Sequence, residues 1–249
     1  MDLITDWTLA FFINNFPSWK SILIGGPFGV LWSYLCLHFA GYLKQSRGYK
    51  TGYTRKTFHF LIFASVVIIQ MVWDTSAVCL FGGACTLVIF YAVLKGSGNL
   101  LYEAIAREKD EPHRTYYIVI PYFATLIGGL ASNILFGHIA VVGYLVTGLG
   151  DAVGEPIGTK FGRHIYKVPS LTSVKAIRSW EGSIAVFVIS VAAIATSISI
   201  LPDLNFANKS FVLVPLLGLV SACVEAISPH GWDNATMQII PSFLAWLLL

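Results

Sequence analysis

The sequence predicts an all-α, polytopic integral membrane protein with about eight transmembrane helices, on three observations. Of the 249 residues, 56% are hydrophobic and only 12% charged, with a mean hydropathy of +0.71; a soluble domain carries about a quarter charged residues. Apolar runs approach the ~20 residues a helix needs to cross a bilayer, and the short alternating segments of a membrane barrel are missing from the sequence. The basic residues are confined to alternate loops.

The expected spans, in order, are residues 22–43, 57–73, 77–94, 116–131, 134–149, 183–201, 211–227 and 237–249. The first ends against Lys44 and the second follows Arg55-Lys56; the second is short, so tilt or bilayer thinning would help it fit. The third closes at Lys95. The fourth and fifth are short, joined by a tight Ser132–Asn133 connection, and a seven-span arrangement would merge or demote one span. The sixth begins after Glu181, the seventh closes on Glu225, and Asp233-Asn234 offers an N-cap for the eighth. With the N-terminus outside, loops 44–56, 95–114 and 150–182 hold all of the 16 Lys and Arg except Lys20 and Lys209, which puts these loops in the cytoplasm. The outward loops then contain Asp74 and Asp203. Within loop 95–114, Leu100, Leu101, Ala104 and Ile105, with Glu103 four residues before Arg107, fit a short interfacial helix with one ion pair; a solvated connector fits equally.

One catalytic domain, 1–249, is expected, with no secretory leader or transit peptide. A net charge of +3 is too small and dispersed for a nucleic-acid partner. Cys36, Cys79, Cys85 and Cys223 lie in apolar runs without a paired motif and read as small buried hydrophobes.

Residues 150–182 break the apolar pattern. Asp151, Glu155, Lys160, Arg163, Lys167, Lys175, Arg178 and Glu181 crowd a stretch bounded by membrane spans, and charge at a bilayer is costly enough that its default reading is functional. Gly150, Gly154, Gly158 and Gly162 recur every four residues, which on a helix makes a flat stripe for close approach. Asp151 and Glu155 share an adjoining face. Pro156 predicts a broken or kinked helix whose second half would turn free backbone donors toward an anion. Carboxylate oxygens suit Mg2+ bridged to phosphate, and Lys160, Arg163, Lys175 and Arg178 suit neutralising phosphate oxygens. No G-x-x-x-x-G-K-[ST] sequence occurs, which disfavours a Walker-type ATPase.

Gly148-Leu149-Gly150-Asp151 also matches the GxGD of intramembrane aspartyl proteases. Those need a second, facing aspartate, and Asp74 falls at the opposite membrane face. Two more polar clusters face the cytoplasm. Arg55-Lys56-Thr57-Phe58-His59 enters the second span, as a basic anchor or as phosphate contacts, with His59 touching a phosphate or satisfying a carbonyl. Glu225 through Asn234 closes the seventh, with Glu225 costly unless paired.

Together these residues resemble the phytol kinase and dolichol kinase family of CTP-dependent lipid-alcohol kinases, related to phosphatidate cytidylyltransferases. The resemblance is carried by Arg55-Lys56-x-x-His59, Gly150-Asp151-Ala152 through Gly158, Phe161-Gly162-Arg163, Lys167-x-Pro169, Ser179-Trp180-Glu181-Gly182-Ser183, Glu225, and Asp233-Asn234-x-Thr236, across about residues 50–240. Arg178 departs from the lysine expected there, keeping the charge but changing how phosphate is held. The resemblance implies CTP as donor, Mg2+, and an isoprenoid alcohol such as phytol as acceptor, at the cytoplasmic face of a bacterial inner membrane or an organelle membrane. On this reading Asp151, Glu155 and Glu225 hold Mg2+. Arg55, Lys56, His59, Gly150, Gly154, Gly158, Lys160, Arg163, Lys175, Arg178, Ser179 and Asn234 hold the nucleotide. Asp151 serves the chemistry, and Glu181 or Asp233 orients or deprotonates the alcohol. A cytidylyltransferase forming a CDP-lipid and a transporter with a midplane site are the rivals; oligomerisation is left open.

Overall fold

In the computed structural model, residues 2–202, 204 and 210–249 are described, with side chains from Thr8 onward except at 210 and 211. Asp203 and Lys209, assigned above to an outward loop, lie outside them. The chain is almost wholly helical: α1 (Asp2–Asn14), α2 (Trp19–Arg47), α3 (Thr51–Val72), α4 (Thr75–Lys95), α5 (Leu100–Ile105), α6 (Tyr116–Phe136), α7 (Ala140–Leu145), α8 (Ala152–Phe161), α9 (Trp180–Ile200), α10 (Ser210–Ile227) and α11 (Asp233–Leu248). Five helical runs are long and apolar enough to cross a membrane, one of them being the continuous stretch Tyr116–Phe161; α10 adds a shorter apolar helix. This is the all-α, polytopic membrane architecture that composition predicted.

Local chemistry sets the helix ends. Ser18 caps α2 by accepting from the Ser21 N–H (3.1 Å), Asp74 caps α4 through Ala77 (2.8 Å), and Ser179 caps α9 through Gly182 (3.1 Å). Gly48 closes α2 at φ +67°, a left-handed position that suits glycine. α3 begins six residues before the expected start and takes Arg55 and Lys56 inside, so the second span is no longer short.

The stretch 116–161 folds back on itself. Tyr144 Oη donates to Gly129 O at 3.3 Å, although fifteen residues of straight helix would separate them by about 22 Å. The turn falls at Gly137–Ile139, with Gly137 at φ +57°, and not at Ser132–Asn133. Asn133 bonds back to Gly129 O (3.0 Å) within its own helix, so its polarity is absorbed without ending α6.

Two further expectations are corrected. Glu103 pairs with Arg114 (2.6 Å) and Lys44 (3.5 Å), not with Arg107, because α5 ends at Ile105 and its Leu101, Tyr102, Ala104 and Ile105 are buried against the bundle. The irregularity expected near Pro156 is a π-helical turn at Val146–Asp151, just upstream. α8 then continues through Pro156, so no free helix N-terminus opens there.

A small hairpin, absent from the sequence reading, follows: β1 (Ile165–Lys167) pairs antiparallel with β2 (Ile177–Ser179), placing Tyr166 opposite Arg178. One apolar core joins α3, α7 and α9–α11, around Phe63, Val142, Val186, Ile194, Leu217 and Met237. A second, around Leu37, Val88, Leu101 and Ile118, joins α2, α4, α5 and α6. Cys36 and Cys85 are buried and Cys79 is half-buried, while Cys223 is exposed, contrary to the reading of all four as buried.

The glycine stripe is the contact between α8 and α9. A Cβ on Gly154 would stand 2.6 Å from Val186 Cγ2, and one on Gly158 2.9 Å from Ser179 Oγ. Gly154→Ala therefore forces overpacking and should cost about 1–3 kcal/mol, read as a lower thermal midpoint in detergent. Gly26→Ala, whose Cβ meets nothing within 4 Å, is the control. Equal stability of the two variants would remove the stripe as a packing constraint.

Candidate active site

Buried charge gathers at one end of the bundle, where loops 44–56, 95–114 and 150–182 meet the turn before α11. The chain places carboxylates and glycines on adjoining faces of the helical run that contains α8. The π turn delivers Asp151 into the bundle, where Asp151 Oδ2 accepts from Lys56 Nζ at 2.5 Å, with both side chains 6% exposed. His59 Nε2 lies 3.1 Å from Thr147 O and 3.6 Å from Asp151 Oδ2. A carbonyl only accepts, so this nitrogen carries the proton. One turn along α8, Glu155 meets three cations: Arg55 Nη2 (3.1 Å), Arg107 Nη1 (2.9 Å) and Lys109 Nζ (3.2 Å).

The far wall comes from β2, α10 and α11. Arg178 Nε binds Glu225 Oε1 (2.9 Å) and its Nη2 binds Asp233 Oδ2 (2.8 Å). Burial opposes the charge on Arg178, but Asp233 and Glu225 outweigh it and raise its pKa. Carboxylate oxygens of Asp151, Glu225 and Asp233 all lie within 4.8 Å of one another. Such an oxygen-only set fits a hard divalent cation. Arg178 Nη1 and Arg55 Nε are buried without a hydrogen-bond partner among the described residues. Buried donors of this kind are costly unless an acceptor arrives, and oxyanions match guanidinium donors.

These side chains line a cleft of about 190 Å³. Of the residues singled out from sequence, it brings together Arg55, Lys56, Asp151, Gly154, Glu155, Gly158, Lys175, Arg178, Ser179, Glu225 and Asp233. Others fall elsewhere. Gly150 packs against Ser190. Lys160 and Arg163 are exposed at the outer end of α8, Lys160 lying over the Phe161 ring at 5.1 Å. Glu181 turns to His164 Nδ1 (2.8 Å) and does not line the cleft. Asn234 does not line the cleft; it bonds Thr125 Oγ1 (2.8 Å) and Pro121 O (3.2 Å), tying α11 to α6. The group of three close carboxylates takes in Asp233 beside Asp151 and Glu225, while Glu155 sits among its three cations.

Arg107, Lys109, Asp110 and His230 are not among the site residues expected from sequence. Arg107, 4% exposed, binds Asp110 Oδ2 through Nε (2.7 Å) and His230 Nε2 through Nη2 (2.7 Å). Burial works against its charge, yet Glu155 and Asp110 raise its pKa above the ordinary value. Burial also opposes ionisation of Asp110, but His230 and Arg107 override it and lower its pKa. The available signal was Arg107-Glu108-Lys109-Asp110-Glu111, five charges in a row in a chain with 12% charged residues.

A second, mostly apolar cavity of about 500 Å³ lies beside the cleft, walled by α3, α4, α6 and α11, with Phe11, Phe12 and Phe16 at the N-terminal end of the chain. The two cavities share Arg55, Lys56, His230 and Asp233.

Fold and site define a polytopic α-helical membrane protein with a buried, charged cleft beside an apolar cavity. Part of the chain is similar to the phytol kinase of Synechocystis sp., at 26% identity over 132 residues, covering 50% of this chain and 54% of that protein. The chain thus spans about half the length of this curated relative. Comparison with protein families and with solved structures gives no match.

Arg107→Ala leaves Glu155 and Asp110 short of a buried partner and should cost about 3–5 kcal/mol, measured by thermal unfolding; wild-type stability would show that the cluster is not structural. The pH response follows from His230, whose pKa is lowered by burial, only partly offset by Asp110. As pH falls, the unfolded chain protonates His230 first. The stability from its neutral form is complete above about pH 6.5 and is lost as pH drops below that value. His230→Gln should flatten this acid-side loss in thermal midpoint; unchanged slopes would exclude His230 as its source.

Proposed function

We propose that the protein is a CTP-dependent kinase that phosphorylates a long-chain isoprenoid alcohol at the cytoplasmic face of its membrane. The observation that carries this is the meeting of three close carboxylates and two unpartnered guanidinium nitrogens with an apolar cavity. Phosphoryl transfer needs chiefly positioning and charge neutralisation, and a lipid alcohol needs an apolar enclosure opening onto that chemistry. The partial similarity to a phytol kinase supports the kinase class; CTP as donor rests on the motif resemblance, and the cytoplasmic face on the distribution of basic loops.

Asp151 and Glu225 would hold Mg2+, which when bound neutralises charge on the transferred phosphoryl oxygens. Arg55, Lys175 and Arg178 bind the phosphates, with the unpartnered nitrogens of the two arginines offering fresh donors. Asp233 is the carboxylate that lines both cavities, so it orients the acceptor hydroxyl and takes its proton. The hydroxyl oxygen forms a bond to the γ-phosphorus as the bond to the bridging oxygen breaks, leaving CDP. Lys56 keeps Asp151 in place from the other side. Glu181, bonded to His164 away from the cleft, has no part in this step.

The test is purified protein in nanodiscs with labelled CTP and a panel of phytol, polyprenols and diacylglycerol. The expected products are a lipid monophosphate and CDP, lost on chelation of Mg2+. Asp233→Asn should lower kcat by about 10²–10⁴-fold, and Asp151→Asn should remove the Mg2+ dependence along with activity. Release of pyrophosphate and a CDP-lipid would replace this reading with a cytidylyltransferase. Full Mg2+-dependent activity in a folded Asp151→Asn variant would end it.

A further inference from the structure

The larger cavity has a shape that says what enters it. It follows α6 from Tyr117 to Asn133, sixteen residues or about 24 Å of helix, most of the ~30 Å hydrocarbon thickness of a bilayer. Its wall is built from apolar side chains such as Phe63, Phe81 and Leu126. The polar groups along it are largely turned into the wall: Gln238 Nε2 donates to Asn234 O (2.6 Å) and Thr125 O (3.1 Å), and Asn133 bonds to Gly129 O (3.0 Å). At its upper end the cavity meets the cleft through Lys56 and Asp233. The result is long, apolar and charged at one end.

We propose that this cavity is an end-on binding site for one long apolar chain of an alcohol, with the hydroxyl at Asp233 and the tail running down between α4 and α6. The inference rests on the kinase reading for what happens to the hydroxyl, and adds the acceptor's shape. About 500 Å³ is the volume of a pocket for a single small ligand. It suits one chain and excludes the paired chains of a diacylglycerol. Its length makes the site a gauge of chain length, since packing contacts accrue along the bore as far as it runs and not beyond it.

Gly82 offers a way to shorten the gauge. It lines the cavity, and a Cβ there would stand 3.8 Å from Leu126 Cδ2, an ordinary contact. Gly82→Leu therefore obstructs the bore without a backbone clash. The experiment uses a long-chain alcohol with a photoreactive group near its tail end, added to the full protein in nanodiscs without nucleotide. Adducts are mapped by mass spectrometry. They should fall on α4 and α6 around Phe81 and Leu126, and yield to excess long-chain alcohol but not to diacylglycerol. Gly82→Leu should weaken competition by the long-chain alcohol about tenfold relative to a short-chain one. Adducts confined to outward residues such as Leu87 and Phe90, or equal loss for both alcohols in Gly82→Leu, would overturn the proposal. Labelling needs no turnover. Cavity adducts without phosphoryl transfer would defeat the kinase reading alone, and transfer with adducts outside would defeat the tail site alone.

Discussion

The ion pair between Lys56 and Asp151 is the constraint around which the rest of the site is arranged. Two side chains, each 6% exposed, have left water at an effective cost of several kcal/mol per ion. Only close pairing offsets that cost, so α3 and the π turn before α8 are held at one separation and in one register. The same register produces a second rung. Arg55 precedes Lys56 on α3, Glu155 follows Asp151 one turn along the chain, and they meet at 3.1 Å. A membrane helix that carries adjacent cations needs adjacent anions on its neighbour, and the i, i+4 spacing of Asp151 and Glu155 supplies them.

The adjoining glycine face of α8 explains how the far wall of the cleft comes within reach. With glycine at positions 154 and 158, the start of α9 packs against the α8 backbone; a Cβ on Gly182 would lie 2.9 Å from Gly154 O. Ser179 can then both cap α9 and sit against the stripe. Arg178, the preceding residue, is fixed by the hairpin opposite Tyr166 and reaches Glu225 and Asp233. Packing and charge are therefore one device. The small residues that bring α9 close are also what allow a guanidinium from β2 to balance carboxylates on α10 and α11.

What the sequence made legible follows from the kind of signal each feature emits. Spans announced themselves by composition along the chain: α2, α4, α9 and α10 lie within a few residues of the apolar windows. The sorting of basic residues correctly grouped three loops that the structure brings to one end, and it set Asp74 apart from Asp151, since α3 runs about 24 Å from Lys56 to Val72. Pairing across space emits no such signal. Glu103 looked like a helical partner of Arg107 because spacing was all the sequence offered, yet α5 stops at Ile105 and Arg107 turns to Asp110, Glu155 and His230. Lys160 and Arg163 carry the right charge in the right segment, but they sit at the end of α8 that faces away. The hairpin, with three residues in each strand, is too short for any period to register. Ser132-Asn133 read as a connection because polarity is rare in a span, although one hydrogen bond to Gly129 O is enough to keep Asn133 inside a helix.

On the proposed reading, the paired network also dictates how its ligands must bind. Lys56 and Arg178 already satisfy Asp151, Glu225 and Asp233, so the cleft is nearly balanced by its own charges. A polyphosphate entering alone would compete with those carboxylates for the same cations and leave buried anions facing one another. A divalent cation entering alone would compete with Lys56 and Arg178 for the same oxygens. Entering together, each would remove the obstacle to the other: a cation held by Asp151 and Glu225 would free Arg178 from Glu225 for phosphate, while Lys56 keeps its contact with Asp151. Metal and nucleotide binding are then coupled by charge conservation in a low-dielectric site, without any change of fold. The acceptor alcohol brings no charge and arrives from the apolar side, so it leaves that exchange undisturbed and needs from the cleft only Asp233.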